Sequence, residues 1–229
     1  MNSSQQQTRV SFKANDSLTE QISQFLGHKI VTGDMPPGTR IQELRIAAEL
    51  DVSRGSVREA LLILQRRHLV DIYPRRGAIV SSISPEDVRE LFALWFLLLE
   101  QAVANLAANW QNDDLAGFIE LMTELGEQQR KSDSEAFYHS GVKYLEQLYR
   151  HCGNRYLQQT LFDLLPQTQR CLFAILRAGK NQIDRTYDFL DRLLKAIVAR
   201  DAQLLQQMLR EFAVQYSQTA QAAATVLLG

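Results

Sequence analysis

Cysteine and histidine are scarce in this chain, with two of the first and four of the second among 229 residues. Cys152 and Cys171 show no metal-ligand spacing and give no reason to infer a disulfide, so a reducing cytoplasm is the expected compartment. His28 and His68 fall in the first third of the chain. His139 and His151 share one helical stretch but stand ~18 Å apart by helical rise, too far to hold a common ion. The adjacent His151 and Cys152 have no placed third group, which argues against a Cys-His nucleophile. No unbroken apolar run approaches the ~18 residues of a membrane-spanning helix, and the polar start MNSSQQQTR lacks a signal-peptide core, so no membrane association is expected. Internal repeats and low-complexity segments are also missing. What is present is the composition of an ordinary globular protein, 45% hydrophobic and 22% charged, at a length that suits one large domain or two small ones.

The net charge of −1 hides an uneven distribution. Up to Ile83 there are 11 Lys and Arg against 8 Asp and Glu, and the remainder holds 14 against 18. A basic head on an acidic body fits a polyanionic partner for the head, although random surface variation fits the count equally well.

Residues 1–15 are polar and without periodicity, and are expected to form a disordered tail. Ser17 and Glu20 then make an S-x-x-E start, with Leu18, Ile22, Leu26 and Ile30 at helical spacing up to Gly33. A short second helix fits Gln42 to Glu49, with Leu44, Ala47 and Ala48 turned inward. Ser53 caps a third, whose Val57, Leu61 and Leu64 share a face. The period then changes: LVDIYPRRGAIVSSI reads as two strands joined through Pro74, Arg75, Arg76 and Gly77. Three helices, the last two closely connected, followed by a two-stranded wing make a winged helix-turn-helix over residues 16–83. From residue 84 to 229 only helical signals remain. The stretch SPED places a cap, an N1 proline and two acids in a first turn. Five further helices follow on short connections, so the body is expected to be an all-α antiparallel six-helix bundle. Pro166 is expected to kink the fourth of the six.

The third helix concentrates arginine. Arg54 and Arg58 lie one turn apart at its start, off the apolar face, where a recognition helix presents side chains to guanine O6 and N7. Ser53 and Ser56 are short donors beside them, and Arg75 and Arg76 at the wing tip suit a neighbouring groove or its backbone. Arg66 and Arg67, at the far end, fit the helix C-terminal dipole better than base reading. The alternative for Arg54 and Arg58 is a solvated helix face paired with Glu59 or Asp51.

The segment IVTGDMPPGTRIQELRIAAELDVSRGSVREALLILQRRHLVDIYPRRGAIV resembles the DNA-binding domain of the GntR family of bacterial transcription regulators, through the PGTRI turn, the VSR..VREAL core and the RRGAIV wing. The helical remainder resembles the FCD-type ligand-binding domain of the FadR-like subfamily. The resemblance implies that Ser53, Arg54, Ser56, Arg58 and Gly77 belong to the DNA-binding set, which Arg75 and Arg76 complete from their place at the wing tip, and that a two-fold homodimer meets a palindromic operator. Three positions depart from the pattern: Gly55-Ser56 for a common Thr-Pro, Leu44 where a basic contact is frequent, and His68 for a helix-ending glycine.

Many FCD domains hold a divalent metal through an Asp and a His one turn apart and a His from each of two later helices. Matched on Gly153-Asn154 and Ala199-Arg200-Asp201, those positions carry Gly141, Leu145, Leu190 and Phe212. None can ligate a metal, so no metal or other cofactor is expected. An arginine that meets effector carboxylates in the family falls on Trp95 or Phe96. Trp95, Leu145, Leu190 and Phe212 either fill the former cavity as core or line a pocket for an apolar or aromatic effector, with Arg170 as its polar anchor. The chain thus reads as a cytoplasmic, ligand-responsive repressor. An effector-independent DNA-binding protein, or an all-helical enzyme with a DNA-binding head, are the alternatives.

Overall fold

The computed structural model describes residues 17–177 and 179–227; the tail expected over residues 1–15 lies outside them. The chain divides into two compact units, residues 1–81 and 82–229.

The head begins with α1 (Leu18–Val31), where the Ser17 hydroxyl accepts from the Glu20 amide. Two further helices, α2 (Glu43–Leu50) and α3 (Arg54–Arg66), follow. Ile22, Leu26 and Ile30 of α1 meet Val57, Leu61 and Leu64 of α3 in a core closed by Ile46, Leu50, Val70 and Val80. His68 takes φ +55°, and the Leu69 amide donates back to the Leu64 carbonyl at 2.9 Å, so a histidine ends α3 in the left-handed conformation usually given to glycine.

The two expected wing strands form, and a third, short strand that the sequence did not announce joins them. A short strand β1 (Arg40–Ile41) joins β2 (Val70–Tyr73) and β3 (Gly77–Val80) in an antiparallel sheet ordered β1-β3-β2, with Arg40 opposite Ile79 and Ile41 opposite Ala78. Two residues are too few to show alternation in sequence. The free edge of β3 makes the strand, with Gly38 donating to Val80 and Val80 donating to Thr39, both at 2.9 Å.

The inward face of α2 differs from expectation. Ile46 and Leu50 are its buried residues, Ala48 is exposed and Leu44 is 69% exposed. Leu44 precedes Ile46 by two residues, about 200° around the helix, so a helix turned to bury Ile46 must expose Leu44.

In the body, α4 (Pro85–Asn109) starts with a complete capping box between Ser84 and Asp87. It is followed by α5 (Asn112–Lys131), α6 (Ser134–Arg150), α7 (Arg155–Arg177), α8 (Lys180–Val198) and α9 (Ala202–Leu227). Pro166 lies inside α7 without ending it. By length and mean composition α4 is apolar enough to cross a membrane, although Glu100, Gln101 and Asn105 interrupt its apolar run. Half of its apolar window is buried in the body, where it packs on α9, α7 and α8 as the central helix.

Candidate DNA-reading face and body cavity

At the start of α3, the Ser53 Oγ accepts from the Ser56 amide at 3.0 Å and meets the Ser56 Oγ at 2.8 Å. Both serines are therefore engaged in capping the helix. Arg54 is 64% exposed at its side chain, and its Nε donates to Glu43 Oε2 at 2.7 Å. Glu43 opens α2, so this pair ties the starts of the two helices together. This contact uses Nε of an exposed guanidinium, whose N–H groups are of the kind that recognises guanine bidentately. Arg58 is exposed and, among the described residues, no ion pair engages it. Neither arginine takes Glu59 or Asp51 as partner.

Arg40, Leu44, Arg54, Arg58, Tyr73 and Arg75 line one open groove between the two helix starts and the wing. At the wing tip Arg75 holds φ +63° and Arg76 donates its amide to the Tyr73 carbonyl at 3.1 Å, and both side chains are exposed. Gly77 follows at φ +85°, where a side chain would have room but not the backbone conformation. Arg67 lies elsewhere: its Nη2 donates to Glu20 Oε1 at 2.9 Å, bracing α3 on α1.

The body holds a cavity of about 60 Å³. Trp95, Leu145, Leu190 and Phe212 all line it, from α4, α6, α8 and α9, and Gly141 lines it beside Leu145. The four positions where the family resemblance places metal ligands thus line one cavity, and their side chains offer no donor. Among the described residues no group of three or more His, Cys, Asp or Glu is placed to hold a metal. The wall is aromatic instead. Phe189 stacks on Phe212 at 3.6 Å between centroids, and Phe212 on Tyr216 at 4.5 Å.

Polar groups near this wall are few. Trp95 donates to the Tyr149 hydroxyl at 2.8 Å. The buried Tyr144 hydroxyl has no hydrogen-bond partner, and burial pushes its pKa well above the usual phenol range. Arg170 is not among the lining residues, contrary to its expected place as polar anchor. It is 2% exposed on α7, its Nε and Nη2 are unpartnered, and burial lowers its pKa. Helical spacing separates it from the α7 residues Leu172 and Leu176 that do reach the cavity.

Residues 18–80 match the gntR family of bacterial regulatory proteins, and residues 90–214 match the FCD domain. The chain belongs to the GntR family. This regulator is 25% identical over 188 residues to the gluconate operon transcriptional repressor of Bacillus licheniformis, covering 80% of its own length and 76% of that chain. It is 32% identical over 119 residues to the transcriptional regulator McbR of Escherichia coli K12, covering 52% of itself and 54% of McbR. The solved structure of E. coli McbR/YncC aligns with a TM-score of 0.78 at 25% identity, covering 90% of the regulator and 97% of that chain. Family and relatives are DNA-binding transcription regulators, not enzymes. Helical spacing on α3 alone leaves Arg40 and Glu43 of the regulator out of this groove. The β1–β3 pairing and the Glu43–Arg54 contact are what bring them in.

Proposed function

We propose that this regulator is a cytoplasmic repressor that binds a palindromic operator as a homodimer and is released by a small apolar or aromatic effector. The observation that carries the DNA half is the groove in which Arg54, Arg58 and Arg75 converge over the start of α3. In this reading Ser53, Ser56, Arg76 and Gly77 shape or flank the contact. A winged helix meets one half-site, so a two-fold pair of chains accounts for a palindrome.

An exposed apolar stripe on α4 supports self-association. Leu94, Leu97, Ala104 and Ala108 share one exposed face, with Leu97 at 66% and the polar Gln101 between the two pairs. Such a stripe on a helix otherwise central to the body suits a second copy of the same face.

The cavity supports the effector half. The name of the Bacillus relatives ties them to a gluconate operon. A wall of Trp95, Leu145, Leu190 and Phe212 favours an apolar ligand over a polyhydroxy acid, whose hydroxyls would lose water without gaining partners. A second reading, an effector-independent DNA-binding protein, draws on the small volume and the closed Phe189–Phe212 stack.

The test is a melting-temperature screen of the intact protein against aromatic and aliphatic acids, followed by operator binding with each hit. A compound that raises the melting temperature and weakens operator binding supports the proposal. Hits that leave DNA binding unchanged favour the effector-independent reading.

A further inference from the structure

The groove that carries the arginines also carries a leucine. Leu44 is 69% exposed at the first turn of α2, and the buried residues of that helix are Ile46 and Leu50. Its neighbours around the groove are Arg40, Arg54, Arg58 and Arg75. The Glu43–Arg54 pair, at 2.7 Å, fixes the start of α2 beside the start of α3. A side chain without donor or acceptor thus stands among the guanidinium groups of a DNA-reading face.

DNA offers such a side chain little. Phosphates need cations or donors, and the major-groove edges of guanine, cytosine and adenine present acceptors and amino groups that lose water against a hydrocarbon. The one apolar feature on those edges is the C5 methyl of thymine. We infer that Leu44 reads the 5-methyl group of a thymine in the operator half-site, on the base step next to the guanine read by Arg54. The adjacency follows from the groove that Leu44 and Arg54 both line, beside the Glu43–Arg54 pair. Leu44 is then a specificity-determining residue that selects a base through the absence of polar atoms. This inference rests on the DNA-reading role of α3.

The experiment uses the full chain. Operators are selected from randomised duplexes, and each thymine of the half-site is then replaced singly by deoxyuridine, which removes only the methyl. Binding is read by fluorescence anisotropy at fixed salt. One replacement is expected to weaken binding about fourfold, the worth of a methyl group withdrawn from an apolar contact. The same replacement is expected to leave Leu44→Ala unaffected, and selection with Leu44→Arg is expected to move the preference at that position from thymine to guanine. Because Leu44 is exposed, both variants should melt with the natural chain, which separates a reading defect from a folding defect. Insensitivity to every deoxyuridine, or a loss retained in full by Leu44→Ala, overturns the inference and leaves DNA binding standing. Failure to enrich any sequence removes the DNA-reading role and this inference with it.

Discussion

Gly141 lies in the interior of α6 and on the wall of the body cavity, and a Cβ added there meets no atom within 4 Å. Replacing it by alanine therefore changes one quantity almost alone. Glycine in a helix interior costs ~0.5–1 kcal/mol relative to alanine, through the backbone freedom it loses on folding. With no neighbour to clash or to pack, Gly141→Ala should recover that amount. For a body of this size the gain corresponds to a rise of about 1–4 °C in melting temperature. Trp95 and Trp110 are the only tryptophans and both lie in the body, so their fluorescence during urea unfolding reports the right unit. The longer Gly141→Leu side chain is expected to reach into the cavity that Gly141 lines. It should hold or improve stability and abolish any effector-induced melting shift, while leaving operator binding intact. A lower midpoint for Gly141→Ala would refute the open space beside α6. An undiminished effector shift in Gly141→Leu would refute the cavity as the ligand site.

Other consequences are as direct. Arg58→Ala should cost ~1–3 kcal/mol in specific operator binding, whereas Arg76→Ala should weaken specific and scrambled duplexes alike and flatten the salt dependence; anisotropy on both duplexes distinguishes them. Leu97→Asp should move the chain toward monomer in sedimentation velocity, since each copy then buries a charge where it had buried a leucine. Arg170→Met should leave body stability unchanged or raise it, by up to ~1–4 kcal/mol in urea unfolding, because it removes a buried guanidinium that lacks partners at Nε and Nη2. Purified protein should carry no stoichiometric Zn, Ni or Mn by elemental analysis, and EDTA should not move its melting temperature.

Legibility from sequence follows the range of the interaction concerned. Starts such as Ser17, Ser53 and Ser84 are local, since a hydroxyl or carboxylate reaches an amide three residues on, and the helices begin there. The left-handed end of α3 is local too. The face that a short helix turns inward is not. In α2 the candidates Leu44, Ala47 and Ala48 compete with Ile46 and Leu50, and the choice depends on where α3 lies, which no residue of α2 encodes. The same holds for β1, where pairing with β3 turns two otherwise unmarked residues into a strand. Arg170 illustrates the limit in the body. Composition marks it as a polar group in an apolar stretch, but only the rotation of α7 decides whether it faces the cavity or a dry interface.

The convergence of Gly141, Leu145, Leu190 and Phe212 on one cavity has an energetic logic. A single carboxylate or imidazole left in an apolar cavity without its metal is a buried polar group without partners, costing several kcal/mol or shifting its protonation. A partial ligand set is thus worse than either a full one or none, and here none of the four positions keeps a donor. Once the wall is apolar, stacking fills much of it, and the 3.6 Å Phe189–Phe212 pair joins α8 to α9. An effector that entered between α8 and α9 would part those rings and forfeit ~0.5–1.5 kcal/mol of stacking. Burying roughly 200 Å² of apolar ligand surface contributes on the order of 5 kcal/mol before ordering costs, which exceeds that loss. A ligand shifts an equilibrium only by its difference in affinity between two states. In the proposed reading, an effector that bound only when α8 and α9 separate would have such a difference built in, with the Phe189–Phe212 stack opposing it.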